Sequence, residues 1–490
     1  MIPAPPLRVA VVGCGIAGLT CGFTLIERGR ARGVPIDLTL FDADCRAGGV
    51  IRTERRDGFV VEGGPDCFIT DRPWALQLCQ RLGLAEELTC TNPECRRSYV
   101  LRGRRLLPVP EGFYMMAPAR FLPFAATSVL SLPGKLRAGM DLLLPRGPLV
   151  PDESLASFVR RRFGEEVLER LAQPLLAGIY NAEPERLSLR ATMPRFLDLE
   201  RQHRSVIIGL LRGRRRPGGG TAGVSGARYS LFVTPRRGME SIVERLLQEI
   251  PSASLRLATR ITGLPAGPFG GAGRSGPTPD PDGRWRLLTS RGETLPFHAV
   301  VLALRASESA PLVRPFDSGL ADRLATISYG SSTTVSLAWR TADVPRRLAG
   351  FGFVVPRAEN RRLIACSFSS VKFPARAPEG AVLLRAFTSD TLVPGEDPDR
   401  AIACVREELR DILGIEAEPQ FARAFFHAGA MAQYEVGHLD RVAEIESRLE
   451  RHAGLALAGN GLRGVGVPDC VRSGEAAADR ILTQAALLVS

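Results

Sequence analysis

The sequence predicts a chain of mixed α/β and α+β class in which one domain is assembled from separate stretches of the chain. The apolar run at 7–12 (LRVAVV) is typical of a buried strand, a helix follows at 16–29, and the alternating run at 36–41 (IDLTLF) is a second strand. Together they form a βαβ unit. Short strands fill much of 255–388, and a strand, loop and helix at 455–482 close the chain.

Hydrophobic periodicity and turn residues predict the remaining elements. They are a helix at 74–89, a hairpin at 98–109 around Arg102-Gly103, mostly helical chain at 110–175 with an amphipathic run at 155–178, strands at 255–264, 285–290, 298–304, 332–340, 351–356, 363–368 and 382–388, and helices at 398–414, 440–452 and from Pro468 to about Leu482. The Gly-rich stretches 212–226 and 265–283 are predicted loops.

Composition narrows the class of function. The 490 residues exceed one ordinary domain, and the net charge of +12 comes mostly from arginine spread along the chain, which suits anionic partners. No nucleic-acid-binding motif is present, so nucleic acid is not an expected partner. The ten cysteines form no CxxC pair, which argues against a metal site and favours a reducing compartment.

The sequence predicts a cytoplasmic protein, because it shows no signal peptide and no uncharged stretch long enough to span a bilayer. The most apolar segment lies between Arg120 and Lys135. Two interpretations stay open for it: a surface helix that touches a membrane, or a helix of the core.

The first chemical motif is Gly13-x-Gly15-x-x-Gly18, between the first strand and the first helix. Gly13 allows a tight turn, Gly15 lets the backbone approach a pyrophosphate, and Gly18 lets helix and strand pack closely. The main chain of Ile16 and Ala17 then faces the phosphates. An ordinary Gly-rich turn is the alternative.

A carboxylate for ribose hydroxyls, Asp42, ends the second strand and is followed by Ala43, Arg46 and Gly48-Gly49. A second glycine turn is not expected in a plain NAD domain. The motif therefore predicts FAD in a Rossmann-type domain.

A second segment, GFVVEGGPDCFIT at 58–70, belongs to the same predicted site. Glu62 would brace the turn, and Gly63-Gly64 would let the main chain, with Pro65 and Asp66, run beside a flat ring. A tight structural turn is the alternative.

A third segment, at 459–482, contains Gly459, Asn460, Val465, Gly466 and Val467 before a helix that Pro468 can open. The start of that helix would face the flavin, where its dipole stabilises negative charge. Such an arrangement requires a discontinuous FAD domain.

These segments together resemble the oxygen-dependent protoporphyrinogen and coproporphyrinogen oxidases, FAD enzymes of haem biosynthesis. The resemblance rests on RAGGVIRTERRDGFVVEGGPDCFIT at 46–70 and GNGLRGVGVPDCVRSG at 459–474, with PGKLRAGMDLL, LAGIYNAEPERLSLRA and GFGFVVP between them. It runs nearly end to end, although Asp42 stands where Glu is more usual, and the aromatic residue that commonly precedes the Arg of GNGLRG is missing.

The resemblance implies a discontinuous FAD-binding domain, a mixed-sheet substrate domain and a small helical membrane-associating region. The expected bounds are 1–75, 235–304 and 451–490 for the FAD-binding domain, 76–100, 191–234 and 305–450 for the substrate domain, and 101–190 for the helical region. It also implies six-electron oxidation of a porphyrinogen, with hydride transfer to flavin N5 and H2O2 formed when O2 reoxidises the flavin. No catalytic acid, base or metal is expected.

Residue by residue, the resemblance places Arg96 at a substrate propionate. Its neighbour Arg97 is the alternative, because only one of two adjacent strand residues would face the site. Gly178 would lie against the macrocycle, and Phe351 and Gly352 would clamp it, with Phe353 nearby. Ala386 and Phe387 would close the pocket, or else belong to the core. The main chain of Ile261 would contact the adenine.

Two porphyrinogens stay open as substrates. Arg96 favours protoporphyrinogen IX, whereas the basic run Arg96, Arg97, Arg102, Arg104 and Arg105 would suit the four propionates of coproporphyrinogen III or acidic lipids. Flavin amine oxidases, carotenoid desaturases and the non-enzymatic GDP-dissociation inhibitors are the competing families. Besides the porphyrinogen and O2, a peripheral membrane surface is expected, and a transient contact with ferrochelatase and a homodimer are kept as open predictions.

Overall fold

A five-stranded parallel sheet carries the N-terminal glycine turn. In the computed structural model, which describes residues 5–148, 150–213, 232–265, 285–389 and 397–489, its strands come from three separate stretches of chain. In spatial order they are Leu255–Arg256, Ile36–Phe41, Leu7–Val12, Ala299–Leu302 and Leu455–Leu457. Strands rich in Val and Leu suit such a sheet because both of its faces are covered.

The helices Ile16–Ala31 and Val467–Val489 cover one face of this sheet and pack closely on each other. They approach at Gly474, where a Cβ would overlap the carbonyl oxygen of Ala17. The helices Trp74–Arg81 and Glu240–Glu249 complete the layer. The returning C-terminal helix therefore lies beside the glycine turn, as the discontinuous arrangement requires.

The other face is covered by a small antiparallel sheet and three helices. These elements are the strands Ile261–Gly263, Trp285–Thr289 and Thr294–Phe297 and the helices Ala306–Val313, Ser318–Ala325 and His438–Leu449. Their core includes Phe41, which meets Phe297 edge to face at 6.0 Å between ring centroids.

A seven-stranded mixed sheet forms the second large layer. Its spatial order is Phe421–Ala432, Tyr329–Arg340, Ala381–Ser389, Ala365–Ser367, Gly352–Val354, Ser98–Arg102 and Arg105–Pro108, and only the pair of Gly352–Val354 with Ser98–Arg102 is parallel. The helix Pro398–Leu413 packs on one face through its buried apolar side. The opposite face turns toward the hairpin of Thr53–Arg56 and Phe59–Glu62.

The helical region has its own core around Phe158, Phe163 and Leu171. Its helices are Phe121–Ala126, Leu132–Gly139, Leu155–Phe163, Glu165–Val167, Gln173–Tyr180, Leu189–Thr192, Pro194–His203 and Val206–Gly213, with a π-helical turn at Leu168–Ala172. Phe196 and Leu210 belong to the same core, which thus extends past the expected limit at residue 190. The remaining elements are the short strands Phe68–Ile69, Leu88–Cys90, Phe113–Tyr114, Ala117–Pro118 and Phe232–Pro235, the α-helix Ser369–Lys372, and 3-10 turns at Ala85–Glu87, Pro93–Cys95, Met140–Leu142, Ser252–Ser254, Thr341–Asp343 and Arg357–Glu359.

Most predicted elements are confirmed within a few residues, including the hairpin around Arg102-Gly103 and the strands of the large sheet. Four differences remain, and glycines with positive φ account for two of them. The first helix continues through Gly29 to Ala31. The helix predicted at 74–89 ends at Arg81, because Gly83 takes a positive φ of 72°. The run at 155–178 breaks at Gly164, with φ 89°, and the stretch at 110–175 also contains the strands at 113–118.

The strand Phe421–Ala432 was missed by the sequence interpretation, because its two faces are similarly half-buried and show no clear alternation. The two predicted Gly-rich loops fall almost wholly outside the described residues. Among the described residues, no helix is long and apolar enough to cross a membrane.

Candidate functional site

The glycine turn at 13–18 leaves room in front of the first helix. Gly13 has φ 104°, and a Cβ at Gly18 would overlap the carbonyl oxygen of Gly13, so neither position tolerates a side chain without a shift. A Cβ at Gly15 would meet nothing within 4 Å. The main chain of Ile16 and Ala17 therefore begins the helix at an open approach, which fits a pyrophosphate.

The Asp42 carboxylate lies beside this turn, where it accepts hydrogen bonds from the main-chain N–H of Cys14 at 2.6 Å and of Asp44 at 2.9 Å. Burial raises the pKa of Asp42, although these two hydrogen bonds act in the opposite direction. Ala43, next in the chain, is exposed. The carboxylate is thus fixed at the end of its strand, as a ribose ligand needs to be.

The second glycine turn joins the first. Gly48 forms an isolated parallel bridge with Gly15, and its N–H donates to the carbonyl of Cys14 at 2.8 Å. The Arg46 guanidinium lies on this turn and donates to the carbonyls of Ala47 and Ile51, both at 2.9 Å. Gly48 and Gly49 both have positive φ, at 108° and 57°. The two turns thus form one continuous stretch of main chain, the cradle in which FAD is expected to lie.

Gly63 and Gly64 continue the wall of this cradle. A Cβ at Gly64 would overlap the carbonyl oxygen of Val50, one residue beyond Gly49. The carbonyl of Gly63 accepts from Thr334 Oγ1 at 3.0 Å and His427 Nε2 at 2.8 Å. Side chains of the seven-stranded sheet therefore hold this segment in place, which the sequence interpretation did not foresee.

Glu62 was expected to brace the turn at Gly63-Gly64, but its side chain bonds instead to the paired hairpin strand and to residues outside the turn. Its oxygens accept from Thr53 Oγ1 at 2.7 Å and from the N–H of Met239 at 2.9 Å, and it pairs with Arg376 at 3.0 Å. Burial raises the pKa of Glu62, and the Arg376 charge opposes that effect.

Asp66 pairs with Lys372 Nζ at 2.8 Å, so its carboxylate is engaged within the protein. Burial alone would raise the pKa of Asp66, but the charges of Lys372 and Arg385, with the hydrogen bonds from Lys372 and Cys67, together outweigh it and hold that pKa below its ordinary value. Pro65, between the glycines and Asp66, is half-buried. Only the main chain at 63–66 is thus left to line the cradle.

The C-terminal segment follows the strand Leu455–Leu457 and so leaves the parallel sheet at the same end as the first glycine turn. Gly459 donates its N–H to Ser473 Oγ at 3.0 Å, and Asn460 Nδ2 donates to the carbonyl of Ala430 at 2.8 Å. Val465 and Gly466 are half-buried and lead directly into the helix that begins at Val467. Tyr434 and His438, neither singled out in the sequence, donate to the carbonyls of Asn460 and Leu462.

Ile261 lies apart from these turns, in the antiparallel extension, and is 7% exposed. It packs in one cluster with Val12 and Phe41, next to Asp42. This places it near the end of the cradle expected to receive the adenine.

The seven-stranded sheet turns one set of side chains toward the cradle. Directly paired residues share a face of a sheet, and one row across this sheet consists of Phe387, Ala365 and Val354. Phe387 and Val354 are half-buried, and Gly178 faces Val354, because a Cβ there would come into ordinary contact with Val354 Cγ1 at 4.0 Å. The substrate cleft is expected in the space between helix Gln173–Tyr180 and this row of the sheet, with Gly178 on the helix and Val354 and Phe387 on the sheet. Val354 was missed.

Other predicted substrate residues lie in or beside the sheet. Gly352 has φ 139°, and a Cβ there would overlap the carbonyl oxygen of Cys366. Phe351, Phe353 and Ala386 are buried, at 5%, 2% and 0% exposed. Phe353 and Ala386 belong to the core under helix Pro398–Leu413, so the core interpretation holds for Ala386 and not for the half-buried Phe387.

Arg96 and Arg97 precede the strand that begins at Ser98, so alternation along a strand does not apply to them. A short 3-10 turn at Pro93–Cys95 sets their directions instead. Arg96 is half-buried, and its Nε is buried without a hydrogen-bond partner among the described residues, whereas Arg97 is exposed. The preference for Arg96 therefore rests on burial.

The described residues contain no cluster of three or more His, Cys, Asp or Glu side chains that could hold a metal ion. All ten cysteines are free thiols. Burial lowers the pKa of His427, the histidine on the Gly63 carbonyl.

The family model for flavin containing amine oxidoreductases matches residues 16–482. The chain is 33% identical to the coproporphyrinogen III oxidase of Bacillus subtilis, over 97% of this chain and 98% of that protein. It is 27% identical to the chloroplastic protoporphyrinogen oxidase of Nicotiana tabacum, over 96% of this chain and 84% of that protein.

Among solved structures, a proposed protoporphyrinogen oxidase from Exiguobacterium sp. 255-15 superposes with a TM-score of 0.83 at 29% identity. The match covers 98% of this chain and all of that chain. The resemblance seen in the sequence, including FAD as cofactor, is thereby confirmed.

Proposed function

The chain belongs to the flavin containing amine oxidoreductase family, in the group of coproporphyrinogen III and protoporphyrinogen oxidases, and we propose that it oxidises coproporphyrinogen III to coproporphyrin III with O2. The choice of substrate rests on sequence identity, which is 33% to a coproporphyrinogen III oxidase and 27% to a protoporphyrinogen oxidase. Coproporphyrinogen III thus replaces protoporphyrinogen IX, which the sequence alone favours, as the first choice.

Bound FAD supplies the chemistry, because it accepts the hydride equivalents that the porphyrinogen loses. The chain's own residues bind the cofactor and the substrate and orient them toward each other. The main chain at 13–18, 48–49 and 63–64 would hold the cofactor, and the cleft at Gly178, Val354 and Phe387 would hold the macrocycle on the same side of the sheet. Burial lowers the pKa of His427, whose Nε2 is bonded to the carbonyl of Gly63.

Arg96 would bind a substrate carboxylate, because its buried Nε has no other partner among the described residues. A charged hydrogen bond of this kind contributes about 1.5–3 kcal/mol. The basic run at 96–105 does not act as one set. Arg102 donates to the carbonyl of Ser128 at 2.9 Å, and Arg104 pairs with Asp411 at 2.5 Å.

The test is a side-by-side assay of the purified yellow protein with freshly reduced coproporphyrinogen III and protoporphyrinogen IX, followed by porphyrin fluorescence. We expect kcat/KM to be at least about tenfold higher for coproporphyrinogen III, a difference of about 1.4 kcal/mol in the barrier. A higher value for protoporphyrinogen IX would reverse the choice. No acceleration over autoxidation with either compound would favour the amine oxidase or carotenoid desaturase relatives, and a colourless protein would favour the GDP-dissociation inhibitors.

We also propose that the helical region touches a membrane surface. Large apolar side chains stand out from its helices at 121–143, namely Phe121 at 62% exposed, Leu122 at 78%, Leu132 at 68%, Leu136 at 66% and Leu143 at 77%. Exposed large apolar side chains are typical of a contact surface where they adjoin one another, and these five all lie between residues 121 and 143. Phe124 of the same segment is buried, so the segment belongs partly to the core and partly to the surface.

Flotation with vesicles of anionic phospholipid tests this surface. The double variant Leu122→Asp with Leu143→Asp should lose binding, whereas Leu487→Asp, a change at an equally exposed leucine (78%), should not. Equal binding of all three proteins would contradict the proposal. A transient contact with ferrochelatase and a homodimer stay predictions.

A further inference from the structure

Arg385 is a buried cation without a carboxylate partner. Its side chain is 4% exposed, and it forms no ion pair with a described carboxylate. Its Nη2 donates to the carbonyl oxygens of Gly63, at 3.2 Å, and of Gly64. Its Nε is buried and has no hydrogen-bond partner among the described residues. Such a group is costly to bury, so its presence needs a reason.

The charges around Arg385 leave one positive charge in excess. Arg376 pairs with Glu62 at 3.0 Å, and Lys372 pairs with Asp66 at 2.8 Å. With Arg385, three cations thus face two carboxylates. Burial lowers the pKa of Arg385, but a guanidinium keeps its proton at neutral pH even so.

The excess charge lies where the cofactor cradle meets the substrate cleft. Gly48 bridges to Gly15, Gly64 packs on the carbonyl of Val50, and Arg385 holds the carbonyls of Gly63 and Gly64 from behind. The guanidinium carbon of Arg385 also lies 4.8 Å from the ring centroid of Phe387, a residue of the expected substrate cleft.

We propose that Arg385 is a positioning residue for the flavin, whose unpaired charge makes the bound ring easier to reduce. Two-electron reduction adds negative charge to the ring, and a fixed cation in a low-dielectric wall stabilises that charge. The hydrogen bonds from Arg385 to the carbonyls of Gly63 and Gly64 hold the cation against the main chain that is expected to line the flavin. The inference rests on FAD in the proposed function and not on which porphyrinogen is oxidised.

The experiment measures the reduction equilibrium of the holoenzyme flavin against a reference dye, with no porphyrinogen present. Arg385→Gln keeps an N–H donor but removes the charge, and it should shift the equilibrium at least about tenfold toward oxidised flavin, or about 30 mV for a two-electron couple. Arg385→Lys keeps the charge and should stay within about threefold of wild type. Arg340→Gln is the matched control, because Arg340 lies on the adjacent strand, is 69% exposed and pairs with Asp343.

A second pair of variants tests the charge without removing Arg385. Ser367 pairs directly with Arg385 across the sheet and is half-buried. Ser367→Asp should neutralise the guanidinium and shift the equilibrium in the same direction, whereas Ser367→Asn should not. A wild-type equilibrium in Arg385→Gln, equal shifts in Arg385→Gln and Arg385→Lys, or no difference between the Ser367 variants would each overturn the proposal. Failure of the porphyrinogen assay would leave this measurement intact.

Discussion

The Asp42 carboxylate accepts a hydrogen bond from the main-chain N–H of Cys14 at 2.6 Å. Cys14 stands between Gly13 and Gly15, so this bond ties the end of one strand to the turn that follows its neighbour. The other oxygen accepts from Asp44 at 2.9 Å. The side chain expected to bind the ribose thus also fixes the geometry of the phosphate turn.

Replacing Asp42 by Asn should weaken FAD binding. Asn presents one acceptor oxygen instead of two, so either Cys14 or Asp44 loses its partner, and the charge on the ribose contact is lost. We expect the Kd of FAD for the apoprotein to rise about 10- to 100-fold, as for a charged hydrogen bond of about 1.5–3 kcal/mol. Fluorescence titration of apoprotein with FAD measures this. Asp44→Asn, at an exposed side chain, is the control, and equal affinities in both variants would exclude the role of Asp42.

Replacing Arg96 by Ala should raise KM for the porphyrinogen while the flavin stays bound. The variant would lack the half-buried guanidinium and its contact with a propionate. The loss of a charged hydrogen bond of about 1.5–3 kcal/mol corresponds to a rise in KM of roughly tenfold or more. Steady-state kinetics with the absorption spectrum of the bound flavin checks both quantities. Arg97→Ala, at the exposed neighbour, should behave as wild type. An unchanged KM in Arg96→Ala would remove Arg96 from the site.

Much of the cofactor side could be predicted because its geometry depends on local sequence. Gly13, Gly18 and Gly48 are needed for main-chain conformations or close approaches that few other residues allow, and each leaves a visible mark in the sequence. The large sheet contributes differently, since Thr334, His427 and Arg385 reach Gly63 or Gly64 from strands about 270 to 360 residues away along the chain.

Such long-range contacts carry no periodic signal. One sign was present for Arg385, a single charge inside the apolar run AVLLRAF. This pattern does not by itself predict a buried cation, because a strand with one exposed residue has the same sequence pattern. Val354 was missed for a similar reason, since its exposure to the cleft depends on Gly178, which lies on a helix of another region.

Acid should destabilise the fold through His438. This ring is fully buried, stacks on Tyr434 at 3.9 Å between centroids, and donates from Nε2 to the carbonyl of Leu462 at 2.8 Å. Burial lowers the pKa of His438 from 6.5 to about 4. The unfolded chain therefore binds the proton first, so the stabilising effect is complete above the unfolded pKa and is lost as pH falls toward the folded one.

The shift predicts a loss of about 2 kcal/mol in the free energy of unfolding between pH 7 and pH 5 from this residue alone. Denaturant unfolding at both pH values measures it. His438→Gln keeps a donor for Leu462 but does not titrate, so the loss should be smaller by that amount. His203→Gln should keep the wild-type loss. The same loss in His438→Gln would exclude His438 as its source.

Adding a methyl group at Gly178 should separate stability from substrate binding. A Cβ there would lie 4.0 Å from Val354 Cγ1, an ordinary contact, and Gly178 is exposed within helix Gln173–Tyr180. Alanine in a helix is more stable than glycine by about 0.5–1 kcal/mol. Gly178→Ala should therefore keep or raise Tm, yet it should raise KM several-fold because the methyl narrows the cleft expected to hold the macrocycle.

The contrasting variant is Gly352→Ala. Gly352 has a φ of 139°, and a Cβ there would overlap the carbonyl oxygen of Cys366. We therefore expect Tm to fall, because a non-Gly residue in such a conformation destabilises the fold by about 1–3 kcal/mol. Calorimetry and steady-state kinetics on both variants distinguish the two glycines. A wild-type KM in Gly178→Ala would mean that the macrocycle does not lie against this helix, whereas a wild-type Tm in Gly352→Ala would mean that the neighbouring strand shifts at Cys366 to make room for the methyl group.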